Sequence, residues 1–235
     1  MKSYYMMLVL LLCYGAGNSQ KNKKDSIDGV AITKGTWFAG GAVSLGDRKA
    51  ENEDQLLFYN VNQKKSNAEI RVDAGYIFRK NLGAGIGLLY GRNKEVNTQR
   101  SSDGTLTENN MAESYFAFRP FIKNYVPLGN SNRFYVVIPT ELQIGFGSKV
   151  KEATTNAILT RTYTNSNYYG IALRPGLLMF IYKNFGFEVN VGAFGLNSKV
   201  EKSTVTNQPA SKVVTHDLDL KINILNLSLG FTGYF

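Results

Sequence analysis

The feature that most constrains the fold is a period-two alternation of apolar and polar side chains that recurs along most of the chain. Such alternation is typical of β-strands whose two faces meet different surroundings. It occurs in eight stretches, at residues 36–46, 68–79, 82–92, 111–125, 133–148, 167–182, 185–196 and 215–235. No stretch with the 3.6-residue period of an amphipathic helix competes with them, so the sequence predicts an all-β fold.

The spacers between these stretches alternate in length, which indicates how the strands are connected. Short spacers cover residues 79–81, 127–132 and 183–184, and long polar spacers cover 47–67, 93–110, 149–166 and 197–214. An even number of strands with short turns at one rim and long loops at the other is the plan of outer-membrane barrels. Residues 36–235 are therefore predicted to form an eight-stranded antiparallel up-and-down transmembrane β-barrel, with short periplasmic turns and long extracellular loops.

The phase of the alternation separates an apolar face from a charged one. In the second stretch Ile70 and Val72 share one face, while Arg71 and Asp73 share the other. Without a helix to cover the apolar face, lipid on the outside is the simplest cover, whereas a soluble eight-stranded carrier would turn its apolar face inward. The lumen is thus predicted to hold a polar network of Glu69, Arg71, Asp73, Arg119, Glu141, Gln143, Arg174, Glu188 and Asn190, bridged also by Asn226. Because these charges nearly balance, we expect a plugged barrel.

Three prolines lie inside predicted strands, where a closed barrel offers no free edge for them. They are Pro120, Pro139 and Pro175. Since Pro120 and Pro139 stand at similar distances from the turn that joins their strands, we expect a paired irregularity, such as bulges, at one height of the wall.

The N-terminus is predicted to be an export signal. Lys2 precedes the apolar run 6–12, and small residues at 15–19 form a cleavage zone. This layout is typical of a secretory signal peptide over residues 1–19, followed by a flexible periplasmic lead-in at 20–35. The lone Cys13 lies in the signal, so the mature chain is expected to have no disulfide.

Several of these segments resemble a known family. Residues 75–87 are similar to a strand–turn–strand unit of the outer-membrane β-barrel family, in the eight-stranded group akin to the OmpA membrane domain and OmpX. Residues 119–125 and 173–176 resemble two further strand signatures of that group. The C-terminal segment resembles its assembly signal, which would comprise Phe235, Phe231, Leu229 and Leu227. The resemblance implies the outer membrane of a Gram-negative bacterium, both termini in the periplasm, and assembly by the barrel-insertion machinery. It implies no activity.

The sequence offers few candidate catalytic residues. His216 is the only histidine, and a Ser–His–Asp group would need Ser228 or Ser211 as its nucleophile. We interpret His216 as a residue of the barrel rim. No His, Cys or carboxylate cluster has the spacing of metal ligands, so no catalytic residue, metal or cofactor is predicted.

The net charge of +9 indicates the expected partners. Basic side chains in the last two long spacers would be attracted to outer-membrane lipid and anionic lipopolysaccharide. Nucleic acid is not expected, because the chain is exported and has no compact basic–aromatic patch. The leading hypothesis is a non-enzymatic outer-membrane barrel with a structural or surface-interaction role, exposed basic loops and an unidentified extracellular protein ligand. A narrow passive pore of the porin kind is the alternative, and a lipid-acting hydrolase that uses His216 is a third hypothesis.

Overall fold

The computed structural model describes residues 32–54, 59–100, 104–129, 132–156, 158–192, 194–205, 211–219 and 223–235. The predicted signal peptide and most of the predicted lead-in lie outside these residues. In the described part of the chain, no helix is long and apolar enough to cross a membrane.

The described residues form eleven antiparallel β-strands in a single sheet. The strands are β1 (Trp37–Asp54), β2 (Tyr59–Arg79), β3 (Leu82–Arg100), β4 (Leu106–Pro127), β5 (Phe134–Thr155), β6 (Ile158–Leu173), β7 (Gly176–Tyr182), β8 (Phe185–Gly192), β9 (Phe194–Val205), β10 (Ser211–Asp219) and β11 (Asn223–Tyr234).

The strands close into a ring of eight. Both β6 and β7 pair with β5, so together they form the sixth wall strand. In the same way β8 with β9 forms the seventh, and β10 with β11 forms the eighth. The ring closes where β1 pairs with β11, from Phe38 opposite Tyr234 to Ser44 opposite Ser228. The prediction of an eight-stranded antiparallel up-and-down barrel is confirmed.

Most of the described residues in the predicted long loops are strand, so the wall extends well beyond the membrane. The ladder between β2 and β3 continues to Tyr59 opposite Arg100, and that between β4 and β5 continues to Thr107 opposite Thr155. Backbone pairing of polar, Thr- and Asn-rich segments needs no apolar alternation, which is why the pattern did not reveal it. We call this end of the barrel the long-hairpin rim and the opposite end the short-turn rim.

Above its closure the wall has a seam. The part of β1 beyond Ser44 pairs with β2, and β10 pairs with β9. Among the described residues no pairing joins β1 to β10. Two strand edges therefore face each other at the long-hairpin rim.

At the short-turn rim the chain before β1 is packed rather than free. Ile32 is buried in the lumen, and its carbonyl oxygen accepts a hydrogen bond of 3.1 Å from the backbone N–H of Asn81. The backbone N–H of Gly35 donates to the carbonyl of Ile77 at 2.9 Å. Residues 32–35, which the sequence analysis assigned to the flexible lead-in, thus cap this end of the barrel.

The prolines interrupt the ladder in a way that the sequence analysis did not predict. Between β4 and β5 no pairs form at residues 119–120, yet the register is the same on both sides, so there is no bulge there. Pro139 lies opposite the break between β6 and β7 that contains Pro175. The carbonyl of Pro139 accepts a hydrogen bond from the backbone N–H of Arg174 at 3.1 Å, and that of Pro175 accepts one from Val191 at 2.9 Å. The paired irregularity therefore joins Pro139 to Pro175 rather than to Pro120.

The outer face carries a continuous apolar band. On β2 the band runs from Ile70 to Phe78, about the length that a tilted strand needs to cross a bilayer. Exposed aromatic side chains border it at both heights, as in the aromatic girdles of membrane barrels. Those at the short-turn border include Trp37, Phe78, Phe134, Tyr182, Phe185 and Phe235, and those at the other border include Tyr90, Phe116, Phe146 and Tyr169.

Candidate functional site

The lumen is the most elaborate polar site of the described structure, and it is layered along the barrel axis. Nearest the short-turn rim lies an apolar cluster. Its members are Ile32, Phe38, Ile77, Phe121, Tyr125, Tyr135, Val137, Leu178, Phe180 and Tyr234. Rings of the cluster contact one another edge to face, with centroids 6.5 Å apart for Tyr125 and Tyr135 and 5.9 Å for Tyr135 and Phe180. These contacts pack the described rings against one another across the lumen.

Glycines on neighbouring strands make room for large lumen side chains. A Cβ on Gly85 would lie 2.7 Å from the Phe121 ring, and one on Gly145 would overlap the Tyr168 ring. These glycines are required by close approach, because no side chain fits between the wall and the ring.

A buried ion pair forms the next layer. Lys123 Nζ donates to Glu188 Oε2 at 2.6 Å, and Asn190 Nδ2 donates to Glu188 Oε1 at 2.9 Å. The ammonium group also lies over the rings of Phe38 and Tyr125, at 5.8 and 5.5 Å from their centroids. Lys123 thus joins the charged layer to the apolar cluster.

The central layer is built around Glu141. Arg119 donates to both of its carboxylate oxygens, from Nε at 3.0 Å and from Nη2 at 2.7 Å. Arg174 Nε lies 3.4 Å from Glu141 Oε2, and Gln143 donates to the same oxygen at 3.2 Å. Arg119 also reaches Asp73 Oδ1 at 3.5 Å. One bidentate arginine therefore holds two carboxylates that come from different strands.

Arg71 is the member of the predicted network that the structure leaves without a counter-ion. Only 5% of this residue is exposed, and its Nε has no hydrogen-bond partner. Glu69, two residues away, instead accepts a hydrogen bond from the Tyr115 hydroxyl at 2.6 Å. Among the described side chains, no carboxylate oxygen lies within 4.0 Å of the Arg71 guanidinium.

A second charged cluster lies towards the long-hairpin rim, above the apolar band. Lys149 Nζ is 2.8 Å from Glu201 Oε1, and Lys199 Nζ is 3.1 Å from the same oxygen and 3.2 Å from Glu113. The hydrogen bond from Lys149 lowers the pKa of Glu201, and Lys199 adds to the effect. Two of the lysines predicted to lie in exposed basic loops therefore lie in strands and are paired.

The other predicted residues fall as follows. Asn226 lies in β11, but its side chain is outside the described part of the structure. Lys123 and Tyr115 were not predicted, although both lie an even number of residues from Arg119 on β4 and so face the lumen. Their polar groups at lumen-facing positions of the strand would have identified them.

The two serines considered as nucleophiles for His216 do not face it. His216 lies on the outer face, exposed, with Ser198 opposite it on β9. Ser228 is fully buried on the lumen side, so the wall separates the two. Ser211 is five residues away on β10 and therefore points to the opposite face of the strand. Among the described residues, no three His, Cys, Asp or Glu side chains gather as metal ligands would.

A basic trough lies on the outer face immediately above the apolar band. The small side chains of Ser66 and Ala68 on β2 form its floor, between Leu45 on β1 and the cations Arg92 and Lys94 on β3. The carboxylate of Asp47 lines the β1 side. The trough thus joins an apolar lower edge to a cationic wall.

The residues of the predicted assembly signal lie on the outer face of the closing strand. Leu227, Leu229 and Phe231 are exposed, and Phe231 stacks on Phe185 with centroids 5.4 Å apart. The backbone N–H of Phe235 donates to the carbonyl of Trp37 at 2.8 Å. The C-terminal residue therefore lies beside the β1–β11 pairing that closes the ring.

The outward apolar band, the aromatic girdles and the filled charged lumen define this chain as a transmembrane β-barrel of the outer-membrane type. No family model matches the sequence, and no curated protein matches it. Among solved structures it is similar to a major outer membrane protein from Thermus thermophilus, with 12% identity over 86% of this chain and 100% of that one and a TM-score of 0.47. It is also similar to Ail, the attachment invasion locus protein of Yersinia pestis, with 14% identity, the same coverages and a TM-score of 0.34. Likenesses this loose carry no information on activity, and the fold assignment rests on the strand pairing itself.

Proposed function

We propose that this protein is a non-enzymatic barrel of a Gram-negative outer membrane, with a plugged lumen and a structural or surface-interaction role. The proposal is based on an apolar outer wall together with two layers of side chains that fill the lumen, the apolar cluster and the charged layer around Glu141. The short-turn rim and both termini face the periplasm, and the tall hairpins project from the cell.

The plug argues against the porin-like alternative. The apolar cluster closes the periplasmic end, and the Arg119–Glu141 layer closes the centre. The cavity that remains among the charged side chains measures about 30 Å³, room for roughly two water molecules. An ion would have to displace buried, paired side chains to pass.

Planar-bilayer recording of the purified full chain tests this function. We expect no steady conductance from the wild type. Single-channel openings of reproducible size, altered by Arg119→Ala in a variant that melts like the wild type, would establish the pore instead.

The basic trough supports a partner in the outer leaflet. Arg92 and Lys94 stand just above Tyr90, at the height where the phosphates of anionic glycolipids meet water. Leu45 lies on the side of the apolar band, where the first carbons of an acyl chain would rest. Lipopolysaccharide offers both groups, and we assign the trough to its phosphorylated lipid end.

The trough is tested by melting in detergent with bisphosphorylated lipid A or with the same lipid after phosphate removal. The phosphorylated lipid should raise the melting temperature of the wild type, and the rise should shrink in Arg92→Gln/Lys94→Gln. Arg79→Gln/Lys80→Gln, which removes two cations from the other rim, is the matched control and should respond like the wild type. Equal responses of both double variants would exclude the trough as the binding place.

Assembly by the barrel-insertion machinery is proposed to use the outward side chains of β11. Their exposure along one face leaves them available to a partner before lipid covers them. Phe231→Ala should lower the amount of protein in the outer membrane, whereas Thr232→Ala, which alters the lumen face, should leave the amount unchanged. Equal losses would indicate a folding defect rather than a recognition defect. An extracellular protein ligand for the hairpins remains part of the proposal, without an assigned surface.

A further inference from the structure

The lumen cavity carries an unbalanced charge. Its cationic lining consists of Arg71, Arg119, Lys123 and Arg174. Its anionic lining consists of Asp73, Glu141 and Glu188. The lining therefore has one cation more than carboxylates, because the fourth lumen carboxylate, Glu69, lies outside it and accepts a hydrogen bond from Tyr115. A buried charge without a close partner is far more costly than one at a surface.

The excess can be located on one residue. Arg119 is held by Glu141 and Asp73, and Lys123 is held by Glu188. Arg71 has no carboxylate within ion-pair distance among the described side chains, and its buried Nε–H is not donated to any acceptor. An almost fully buried guanidinium whose Nε–H is unpaired offers an anion a charged donor.

The wall opposite Arg71 leaves space beside it. Ala42 on β1 is the direct register partner of Arg71, and Gly230 on β11 is the partner of Ala42. Both small residues line the cavity, so neither of them fills the space beside Arg71. At about 30 Å³ the cavity accepts a monatomic anion, which is comparable in size to a water molecule, but excludes phosphate, sulfate or a carboxylic acid.

We propose that the lumen binds a single small monovalent anion of the halide class, chloride under ordinary conditions, against Arg71. Arg174, whose only ionic contact is with Glu141 at 3.4 Å, lines the same cavity and adds to the attraction. The anion completes the charge balance of the plug and binds the folded barrel alone, because the cavity exists only when the ring is closed.

Equilibrium unfolding of the full chain in detergent tests the site. Urea titrations are compared in sodium chloride and in sodium gluconate at equal ionic strength, so that general screening is the same. Because the ligand binds the folded state, each tenfold rise in chloride above its dissociation constant should raise the folding equilibrium constant about tenfold. Gluconate, which is too large for the cavity, should have no such effect. The same stability in both salts would overturn the proposal.

Two variants at one position separate binding from a general salt effect. Ala42→Asp places a carboxylate opposite Arg71, so it should abolish the chloride dependence and be more stable than the wild type in gluconate. Ala42→Asn has nearly the same shape without the charge and should not be more stable than the wild type in gluconate. Crystals grown in bromide give a readout that does not depend on stability. An anomalous peak within hydrogen-bond distance of Arg71 Nε is expected in the wild type and not in Ala42→Asp, whereas water alone in the wild-type cavity would refute the site.

Discussion

Removing Arg119 tests the energetic role of the lumen most directly. Its side chain is 2% exposed and makes two charge-assisted hydrogen bonds to Glu141, at 3.0 and 2.7 Å. In Arg119→Ala, Glu141 keeps Arg174 at 3.4 Å and Gln143 at 3.2 Å, but Asp73 loses the cation that lies 3.5 Å away. Breaking one partner of a buried pair costs about 3–5 kcal/mol, and we expect the free energy of unfolding to fall by that amount.

Arg174→Ala is the matched control within the same layer. Arg174 is 21% exposed and has a single ionic contact, while Glu141 retains its bidentate arginine in the variant. A partly solvated pair of this kind contributes about 1 kcal/mol or less. The two arginine deletions should therefore differ by several-fold in cost, although each removes one cation from Glu141.

The assay is urea unfolding in detergent, followed by the fluorescence of Trp37. This residue is the only tryptophan and lies on the outer face, 62% exposed, so it reports loss of the apolar surroundings. With an m value of about 2 kcal/mol/M, Arg119→Ala should lower the urea midpoint by about 2 M and Arg174→Ala by about 0.5 M. Equal midpoints for the two variants would refute the reasoning, because they would show that the bidentate geometry adds nothing.

Three further predictions concern positions away from that layer. Gly145→Ala should destabilise the barrel by about 1–3 kcal/mol, the range typical of overpacking, because its Cβ overlaps the Tyr168 ring. The thermal midpoint, measured by heat-modifiable gel migration, should fall; a midpoint equal to that of the wild type would mean that the ring moves freely. Glu201→Gln should cost up to about 1 kcal/mol in urea unfolding at neutral pH and progressively less as the pH falls below the unfolded pKa of about 4.3. The hydrogen bond from Lys149 lowers the folded-state pKa of Glu201, so the wild type keeps this stability above the unfolded pKa and loses it as the pH falls through the folded one; a pH-independent difference would contradict this. Asn81 has a φ of +62°, so Asn81→Gly should fold as well as the wild type in urea titrations, whereas Asn81→Val should lose about 1–2 kcal/mol; equal losses would contradict a conformational cause.

The outer wall could be predicted from the sequence because the phase of a strand alternation is a local property. On β2, Ile70, Val72 and Phe78 face outward and Arg71 faces inward, as the alternation indicated. The number of wall strands followed from the same pattern. Strand length did not, because above the membrane the polar segments pair through the backbone without an apolar face to mark them.

The partners inside the lumen could not be predicted, because they depend on the register around the whole ring. Lys123 on β4 meets Glu188 on β8, and these two strands are not neighbours in the sheet. Alternation determines which face of the wall a side chain is on. The stagger of the strands around the ring determines its height along the barrel axis. The register between the sixth and seventh wall strands also shifts by one residue, from Leu173 opposite Phe194 to Gly176 opposite Asn190, and the sequence alone does not give this shift.

The barrel inverts the usual relation between core and surface, and this explains why a charged lumen is compatible with stability. The largest apolar surface faces outward, from Trp37 to Phe235, so lipid rather than a protein core receives it. The lumen need not supply hydrophobic stabilisation, but it must leave no charge uncompensated, because the wall excludes bulk water from both sides. Under that condition the pairs at Glu141 and Glu188 close the lumen at little net cost. A missing partner at one position, such as Arg71, then carries a penalty that a bound counter-ion can remove.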